Sequence, residues 1–468
     1  MKKLALLPFA ALLGVATLSN ASDELARERL LGSAFLDNQS YHLLEEMTNL
    51  YGGRITGSES NEKSMQMLEQ ALDAHGIANH REAFTFPGWE RREDRATLLH
   101  PLKRELRSIA MGYVDQHASF AAELIYLGKG SEQEIPANSQ GKIGLLAANV
   151  KLSQDSIQSL ATENGIVGLL LTNRKNGGQL LARTANYSGD ASPIPIYSVT
   201  EEEGHWLKRL VESGEKPRVQ LATTSIVKEI ESYNLVATLP GKTSKKIVIG
   251  AHFDSWDLGQ GALDNGLGIA QAYDITRLIH KINPENHFTI ETVWFNAEEF
   301  GLFGSYAYME QHQDDEIVAM INMDMVGNPL GANAMGFVSL MPVLKEFSQG
   351  MGGLSLPKPV VNAPWLGSDH MPFIVQGIPS ITLNAPIDPD AVAFYHDFGD
   401  TFEKVDEEVL AKSIGILSLL TFQLANDPSL DGLRLNREKT IELLQNARLE
   451  LRMKRYNIWP FEDEPKAP

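Results

Sequence analysis

The sequence contains no cysteine among its 468 residues. A chain without cysteine forms no disulfide bond, has no thiol nucleophile and has no thiolate that could bind a metal ion. A zinc site in this protein would therefore have to be built from histidine and carboxylate side chains.

Positive charge is also scarce. Lysine and arginine total 41 against 60 aspartates and glutamates, which gives a formal net charge of −19. A protein that binds nucleic acid needs an excess of lysine and arginine to contact the phosphates. The composition therefore argues against a nucleic-acid partner.

Long hydrophobic runs are confined to the beginning of the chain. Lys2 and Lys3 precede the apolar stretch "LALLPFAALLGVATL", and "SNAS" offers a small-residue cleavage site near Ala21. This pattern predicts a secretory signal peptide over residues 1–21. We find no later run of the ~18 apolar residues typical of a membrane-spanning helix. The expectation is a secreted or periplasmic protein with no membrane contact after cleavage.

The spacing of apolar residues divides the remaining chain into four segments. Residues 22–95 have helical spacing and form the N-terminal part of the main domain. Residues 96–225 contain short apolar runs separated by Gly, Asn and Pro, which predict a smaller β-rich insert without catalytic residues. Over 226–430, strand and helix signals alternate, which predicts an α/β domain with a largely parallel sheet. An amphipathic helix and a tail are expected over 431–468.

Side chains that can bind metal ions follow the predicted strands of the α/β domain. "KKIVIGAH" ends in a histidine, "HFTIETVWFNA" is followed by two glutamates, and "EIVAMINM" is followed by an aspartate. The carboxyl ends of parallel strands share one edge of the sheet, where ligands bind. Each signal alone is weak, but together they predict a metal site at that edge. With one residue from each of two nearby loops, the candidates are His252, Asp264, Glu298, Glu299, Asp324 and His396.

The order of these motifs resembles a known family. The stretches "HFDSWDLGQGALDN", "FNAEEFGLFGS", "NMDMVGN", "GSDHMPF" and "YHDFGDT" follow one another, after "GGRITGSES" near the start. In this order they are similar to the aminopeptidase and glutamate-carboxypeptidase family of di-zinc exopeptidases, over nearly the whole chain to about residue 430. The resemblance implies the zinc-exopeptidase fold, a largely parallel mixed sheet flanked by helices. It also implies that residues 96–225 form a protease-associated domain.

The resemblance further implies two Zn²⁺ ions that share one bridging carboxylate. Asp264 would bridge the ions, His252 and Asp324 would complete one site, and Glu299 and His396 the other. A cis peptide bond after Asp264 is also implied.

Catalytic and pocket roles follow from the same resemblance. Glu298 would act as the general base for a water molecule activated by the two ions. Tyr395 would stabilise the oxyanion, and Asp254 would orient the ring of His252 from behind the metal. The stretch "GSDHMPF" would form a wall of the substrate pocket, with the residues Ser368, Asp369 and His370.

The sequence gives less information on whether the protein binds the amino end or the carboxyl end of a peptide substrate. Arginine is the usual partner of a substrate carboxylate, yet Arg277 is the only arginine between Arg218 and Arg434. Its position deep in a helix places it away from the metals. Arg174 or Arg183 of the insert could still reach the site. The scarcity of arginine favours recognition of a free amino end, as in an aminopeptidase or a dipeptidase.

Three alternatives remain beside this hypothesis. The chain could be a carboxypeptidase acting on short peptides, a glutaminyl cyclase with one zinc on the same fold, or a binding protein on an inactive peptidase fold. The presence of all five ligand positions and of Glu298 argues against the last. The family resemblance also suggests a homodimer.

Overall fold

The structure is a computed structural model that describes residues 10–150, 153–282, 284–350, 355–455 and 458–461. Only the backbone is described for residues 10–22 and 154–155. Residues 1–9 of the predicted signal peptide and residues 462–468 of the predicted tail lie outside the described residues.

The described residues form helices and strands in alternation. The helices are α1 (Ala10–Leu36), α2 (Ser40–Tyr51), α3 (Glu59–Ala74), α4 (Gln154–Glu163), α5 (Glu201–Glu212), α6 (Leu267–Ile282), α7 (Phe303–Gln311), α8 (Met341–Gln349), α9 (His370–Val375), α10 (Pro389–Val392), α11 (Glu407–Ala425), α12 (Arg437–Asn446) and α13 (Glu450–Arg455). The strands are β1 (Asn79–Glu90), β2 (Asp94–His100), β3 (Arg104–Glu105), β4 (Ser108–Ala110), β5 (His117–Tyr126), β6 (Ile143–Leu146), β7 (Gly168–Thr172), β8 (Ile196–Val199), β9 (Arg218–Thr223), β10 (Ile226–Leu239), β11 (Thr243–His252), β12 (Phe288–Phe295), β13 (Ile317–Asn322), β14 (Gly331–Asn333) and β15 (Ser380–Asn384).

The larger sheet has seven strands in the order β1-β10-β12-β11-β13-β15-β14. The four strands β12, β11, β13 and β15 are parallel to one another. The strands β1, β10 and β14 are antiparallel to their neighbours. Strands β12 and β13 are buried along their whole length, as expected for parallel strands covered on both faces. The prediction of an α/β fold with a largely parallel mixed sheet is confirmed.

Helices α1, α2, α6 and α11 pack together over this sheet. In α1, Ala26 and Leu30, which follow the predicted cleavage site, are buried in the core of the larger unit. Among the described residues, α11 is the one helix whose length and composition would allow it to cross a membrane, and 78% of its apolar stretch is buried inside the protein. We therefore assign α11 to the core of the larger sheet.

The residues between β1 and β10 form a second sheet with eight strands, in the order β3-β2-β9-β5-β6-β7-β8-β4. This smaller unit, residues 94–223, has its own hydrophobic core, which includes Leu98, Ile143 and Leu221. Strands β1 and β10 pair with each other from Asn79 opposite Ala237 to Glu90 opposite Ile226. The smaller unit is therefore inserted at the end of a long two-stranded ribbon. Its identity as a protease-associated domain stays a prediction.

A cluster of aromatic side chains joins the two units. Trp89 and Phe300 of the larger unit and Tyr113 of the smaller unit share one buried cluster. The hydroxyl of Tyr113 donates to the carbonyl of Pro87 at 2.9 Å. The smaller unit therefore packs directly against the loops that follow the strands of the larger sheet.

Candidate metal centre and substrate cavity

The side chains predicted to bind metal lie at the ends of neighbouring strands, at one edge of the larger sheet. β11 ends in His252, while Glu298 and Glu299 follow β12 and Asp324 follows β13. Because these three strands are parallel neighbours, their carboxyl ends meet at that edge. The predicted convergence of these side chains is present in the structure.

Asp264 lies between two histidines, with one carboxylate oxygen directed at each. Its Oδ1 is 3.1 Å from Nε2 of His252, and its Oδ2 is 3.0 Å from Nε2 of His396. Oδ1 of Asp324 is 3.5 Å from Nε2 of His252, and Oε2 of Glu299 is 3.1 Å from Nε2 of His396. The peptide bond that follows Asp264 is cis. The five side chains thus form two groups that share one carboxylate.

The orientation of both rings is set by backbone carbonyls. Nδ1 of His252 is 3.1 Å from the carbonyl oxygen of Asp254, and Nδ1 of His396 is 2.8 Å from that of Ala182. A carbonyl oxygen only accepts hydrogen bonds, so Nδ1 carries the hydrogen in each ring. Nδ1 is therefore engaged in each ring, and Nε2 is the nitrogen directed at the carboxylates, where it could bind a metal ion.

The buried carboxylates of the candidate metal centre would be stabilised by a bound cation. Burial, together with the carboxylates of Glu299 and Asp324, raises the pKa of Glu298 well above its ordinary value. Burial also raises the pKa of Glu299 to about 7. Oε1 of Glu299 and Nε2 of His396 are buried without a hydrogen-bond partner. Ligand atoms of each group lie within 4.8 Å of one another. Buried acceptors that face one another in this way fit a divalent metal ion.

Arg54 holds the loop between β11 and Asp264 in place. Its buried guanidinium donates to the carbonyls of Phe253 (3.1 Å), Gln260 (2.9 Å) and Gly261 (2.9 Å). Burial lowers the pKa of Arg54 to about 10, so the side chain stays charged at neutral pH. The motif "GGRITGS" signalled this residue in the sequence, but its contacts were not predicted.

Asp400 supports the same loop from the other side. Its carboxylate accepts from the backbone N–H of Leu263 at 2.7 Å and of Asp264 at 3.1 Å. The backbone that carries the shared carboxylate is therefore held by a charged acceptor.

The contacts of Asp254 differ from those expected. Its carboxylate accepts from the backbone N–H of Glu298 at 3.1 Å and of Glu299 at 3.3 Å. Its nearest contact with the ring of His252 is made by the main-chain carbonyl, whereas the carboxylate oxygen is 3.8 Å from Nδ1. Asp254 therefore anchors the backbone of the two glutamates rather than orienting the imidazole through its side chain.

A cavity of about 640 Å³ opens beside the two groups, and it has the size of a small-ligand site. Glu298, Glu299 and Tyr395 contribute to its wall. The ring of Tyr395 stacks on His396, with 3.7 Å between the ring centroids. Burial and the carboxylates of Asp264 and Glu299 raise the pKa of Tyr395 well above its ordinary value, so its hydroxyl keeps its proton.

Residues 368–370 do not line the cavity directly, and their pocket role stays a prediction. Ser368, Asp369 and His370 are fully buried and lie behind the cavity wall, which is formed at this point by Gly367 and Met371. Nε2 of His370 is 3.0 Å from the carbonyl of Trp365, so this ring nitrogen is already engaged. Burial lowers the pKa of His370 to about 4, so the ring is neutral and structural.

Arginines reach the cavity from outside the catalytic sequence motifs. Arg277 lies away from it, as expected, and pairs with Asp274 and Asp37. Arg174 and Arg183 of the smaller unit and Arg452 of α13 line the cavity. Arg174 and Arg183 of the smaller unit therefore reach the candidate site, as the sequence analysis allowed.

Comparison with known proteins agrees with this geometry. The pattern of Peptidase family M28 matches residues 234–420. Carboxypeptidase Q of Mus musculus is 25% identical over 407 residues, which cover 83% of this chain and 86% of the relative. A peptidase M28 precursor from Shewanella amazonensis has a similar structure, with a TM-score of 0.77 at 21% identity, covering 87% of this chain and 98% of that one. BSAP, a zinc aminopeptidase from Bacillus subtilis, has a TM-score of 0.69 at 20% identity, covering 84% and 96%.

The family match begins in β10 and ends in α11, so it contains the strand ends and both histidines of the candidate metal centre. The similarity to Carboxypeptidase Q extends over most of both chains and includes more than the matched domain. Residues 234–420 are thus similar to peptidase family M28, and the comparisons support a metallo-exopeptidase.

Proposed function

We propose that this protein is a di-zinc exopeptidase that hydrolyses short peptides. The observation that carries the proposal is the carboxylate of Asp264, which directs one oxygen to each of two imidazoles beside a cavity lined by Glu298. Two imidazoles and three carboxylates, without any thiolate, are a donor set that suits Zn²⁺. His252 and Asp324 would complete the first site, and Glu299 and His396 the second.

The side chains at the cavity would divide the chemistry among them. When bound, the two ions supply Lewis acidity to the scissile carbonyl and to the attacking water. The Glu298 carboxylate takes a proton from that water and passes it to the leaving amine, a role typically worth ~10²–10⁴ in rate. The Tyr395 hydroxyl, which keeps its proton, donates to the developing oxyanion.

The charges of the cavity favour capture of the carboxylate end of the substrate. Apart from Glu298, Glu299 and His396, the charged side chains among the described residues that line the cavity are arginines. An arginine binds a carboxylate through charge-assisted hydrogen bonds. The sequence-based preference for the amino end allowed for Arg174 or Arg183 but did not consider Arg452, which also lines the cavity. We therefore favour a carboxypeptidase or a dipeptidase, and we keep the aminopeptidase as the second candidate.

Metal content and hydrolysis, measured together, test the catalytic proposal. We expect the purified protein to bind two equivalents of zinc and to cleave a free dipeptide, whereas Glu298→Gln should keep the zinc and lose ~10²–10⁴ in kcat. If no zinc binds and nothing is cleaved, the chain is a binding protein. If a peptide with an N-terminal glutamine releases ammonia, the chain is a glutaminyl cyclase.

Substrate variants test which end is recognised. If the carboxylate is captured, the C-terminal amide should be cleaved poorly and the N-acetylated dipeptide should still be cleaved. Arg183→Gln and Arg452→Gln should each raise KM for the free dipeptide by ~10-fold or more, since a hydrogen bond to a charged group contributes ~1.5–3 kcal/mol. Arg209→Gln, an exposed arginine on α5 of the smaller unit, is the control. If acetylation blocks cleavage and amidation does not, the amino end is recognised.

A further inference from the structure

The smaller unit contacts one of the two candidate metal sites through its backbone. Nδ1–H of His396 donates to the carbonyl of Ala182 at 2.8 Å, and the N–H of Ala182 donates back to the carbonyl of His396 at 3.0 Å. Two residues earlier, the N–H of Leu180 donates to the carboxylate of Asp397 at 2.5 Å. Three hydrogen bonds therefore connect the 180–182 segment with the histidine and its neighbour.

The other histidine is oriented in a different way. Nδ1 of His252 is 3.1 Å from the carbonyl of Asp254, only two residues further along the same loop. The ring of His252 is therefore held by the larger unit itself. The ring of His396 is held by a segment that belongs to the smaller unit.

The backbone at His396 also needs support from outside. His396 has a φ of 58°, in the left-handed region that non-glycine residues rarely adopt. Such a conformation is unfavourable and persists where the surroundings determine it. The hydrogen bonds from the 180–182 segment hold both His396 and Asp397, so they supply that support.

We propose that the 180–182 segment is a positioning element for the second metal site, formed by Asp264, Glu299 and His396. It sets the tautomer and the orientation of His396, so the zinc affinity of this site depends on how the smaller unit docks. The affinity of the site that contains His252 does not depend on this docking. The inference rests on the proposed function, because it requires two ions.

Ala182 offers a way to disturb this contact. Ala182 is 1% exposed and packs in the aromatic cluster between the two units. A larger side chain there would move the segment away from His396. Partners that orient a ligand typically contribute 10–100-fold to metal affinity. Ala182→Val should therefore weaken one of two zinc-binding steps by ~10–100-fold and leave the other unchanged.

The matched control is Ala185→Val. Ala185 is fully buried in the core of the smaller unit, and its N–H donates to the carbonyl of Gly112, also in that unit. The same change of side chain disturbs packing there without touching a histidine. Both zinc-binding steps should keep their wild-type affinity.

The experiment titrates zinc into metal-free wild type, Ala182→Val and Ala185→Val against a chromophoric chelator. NMR of ¹⁵N-histidine in the metal-free proteins gives a second readout, with His396 assigned from a His396→Ala variant. In the wild type the Nδ1–H of His396, which donates to the carbonyl of Ala182, should exchange slowly with solvent, and in Ala182→Val it should exchange faster. If Ala182→Val does not fold, Asp397→Ala, which removes the acceptor of the Leu180 N–H, should weaken the same step.

The outcomes separate the two proposals. One weakened step in Ala182→Val, together with an unchanged Ala185→Val, supports the positioning role. Two unchanged steps, two equally weakened steps, or the same effect in Ala185→Val would overturn it. A wild type that binds no zinc would instead overturn the proposed function.

Discussion

Asp254→Asn tests how the two glutamates are held in place. The buried Asp254 carboxylate accepts from the backbone N–H groups of Glu298 and Glu299. Asparagine has one acceptor oxygen, and its NH₂ group would face the second N–H. The change therefore displaces the backbone that carries the proposed general base, Glu298, and one proposed ligand of the second metal site, Glu299.

The expected magnitude follows from one lost hydrogen bond to a charged acceptor. Such a bond contributes ~1.5–3 kcal/mol, which corresponds to a factor of ~10–150. We expect zinc affinity at the site of Glu299 and His396 to fall by ~10-fold and kcat to fall by ~10–100-fold. The site of His252 should be unaffected, because asparagine keeps the main-chain carbonyl that faces this ring.

The assay is a zinc titration of the metal-free protein, followed by kinetics with a free dipeptide. His252→Ala and His396→Ala identify which binding step belongs to which site. Asp257→Asn is the control, because Asp257 lies in the same loop but pairs with Arg91 at 2.5 Å. If Asp254→Asn weakens the step of His252 instead, the side chain orients that ring and our interpretation of its contacts is wrong.

Three further outcomes are expected. Arg54→Met should lower the free energy of unfolding by about 3 kcal/mol or more in urea denaturation, because it leaves several buried carbonyls without a donor; a change below 1 kcal/mol would contradict this. Burial lowers the pKa of His312, but its contacts with Glu82 and Asp315 outweigh burial and raise it. The stability that wild type has over His312→Gln should therefore be present below pH ~6.5 and be lost as pH rises through the raised pKa; urea titrations at several pH values would refute it if the difference grew with pH. Removing metal with a chelator should lower Tm, since an ion at 100 times its Kd stabilises by ~2.7 kcal/mol, and an unchanged Tm would show that metal does not bind the folded state preferentially.

The α/β fold and the meeting of His252, Glu299 and Asp324 could be predicted because both depend on local patterns. Continuous apolar runs predict buried parallel strands, and the residues that follow such strands share one edge of the sheet. The assignment of these side chains as metal ligands stays a prediction. The burial of residues 368–370 could not be predicted, because a polar motif before a helix looks the same whether it faces a cavity or lies behind its wall.

By itself, the sequence determined the type of sheet, the edge at which the metal-binding side chains gather and the absence of thiolate ligands. Only the tertiary structure decided which distant segments complete the site. The backbone of Ala182 meets His396 across 214 residues of chain, and Arg452 reaches the cavity from a C-terminal helix. The physical reason is that such contacts depend on how the surfaces of two folded units fit together. No short stretch of sequence encodes that fit.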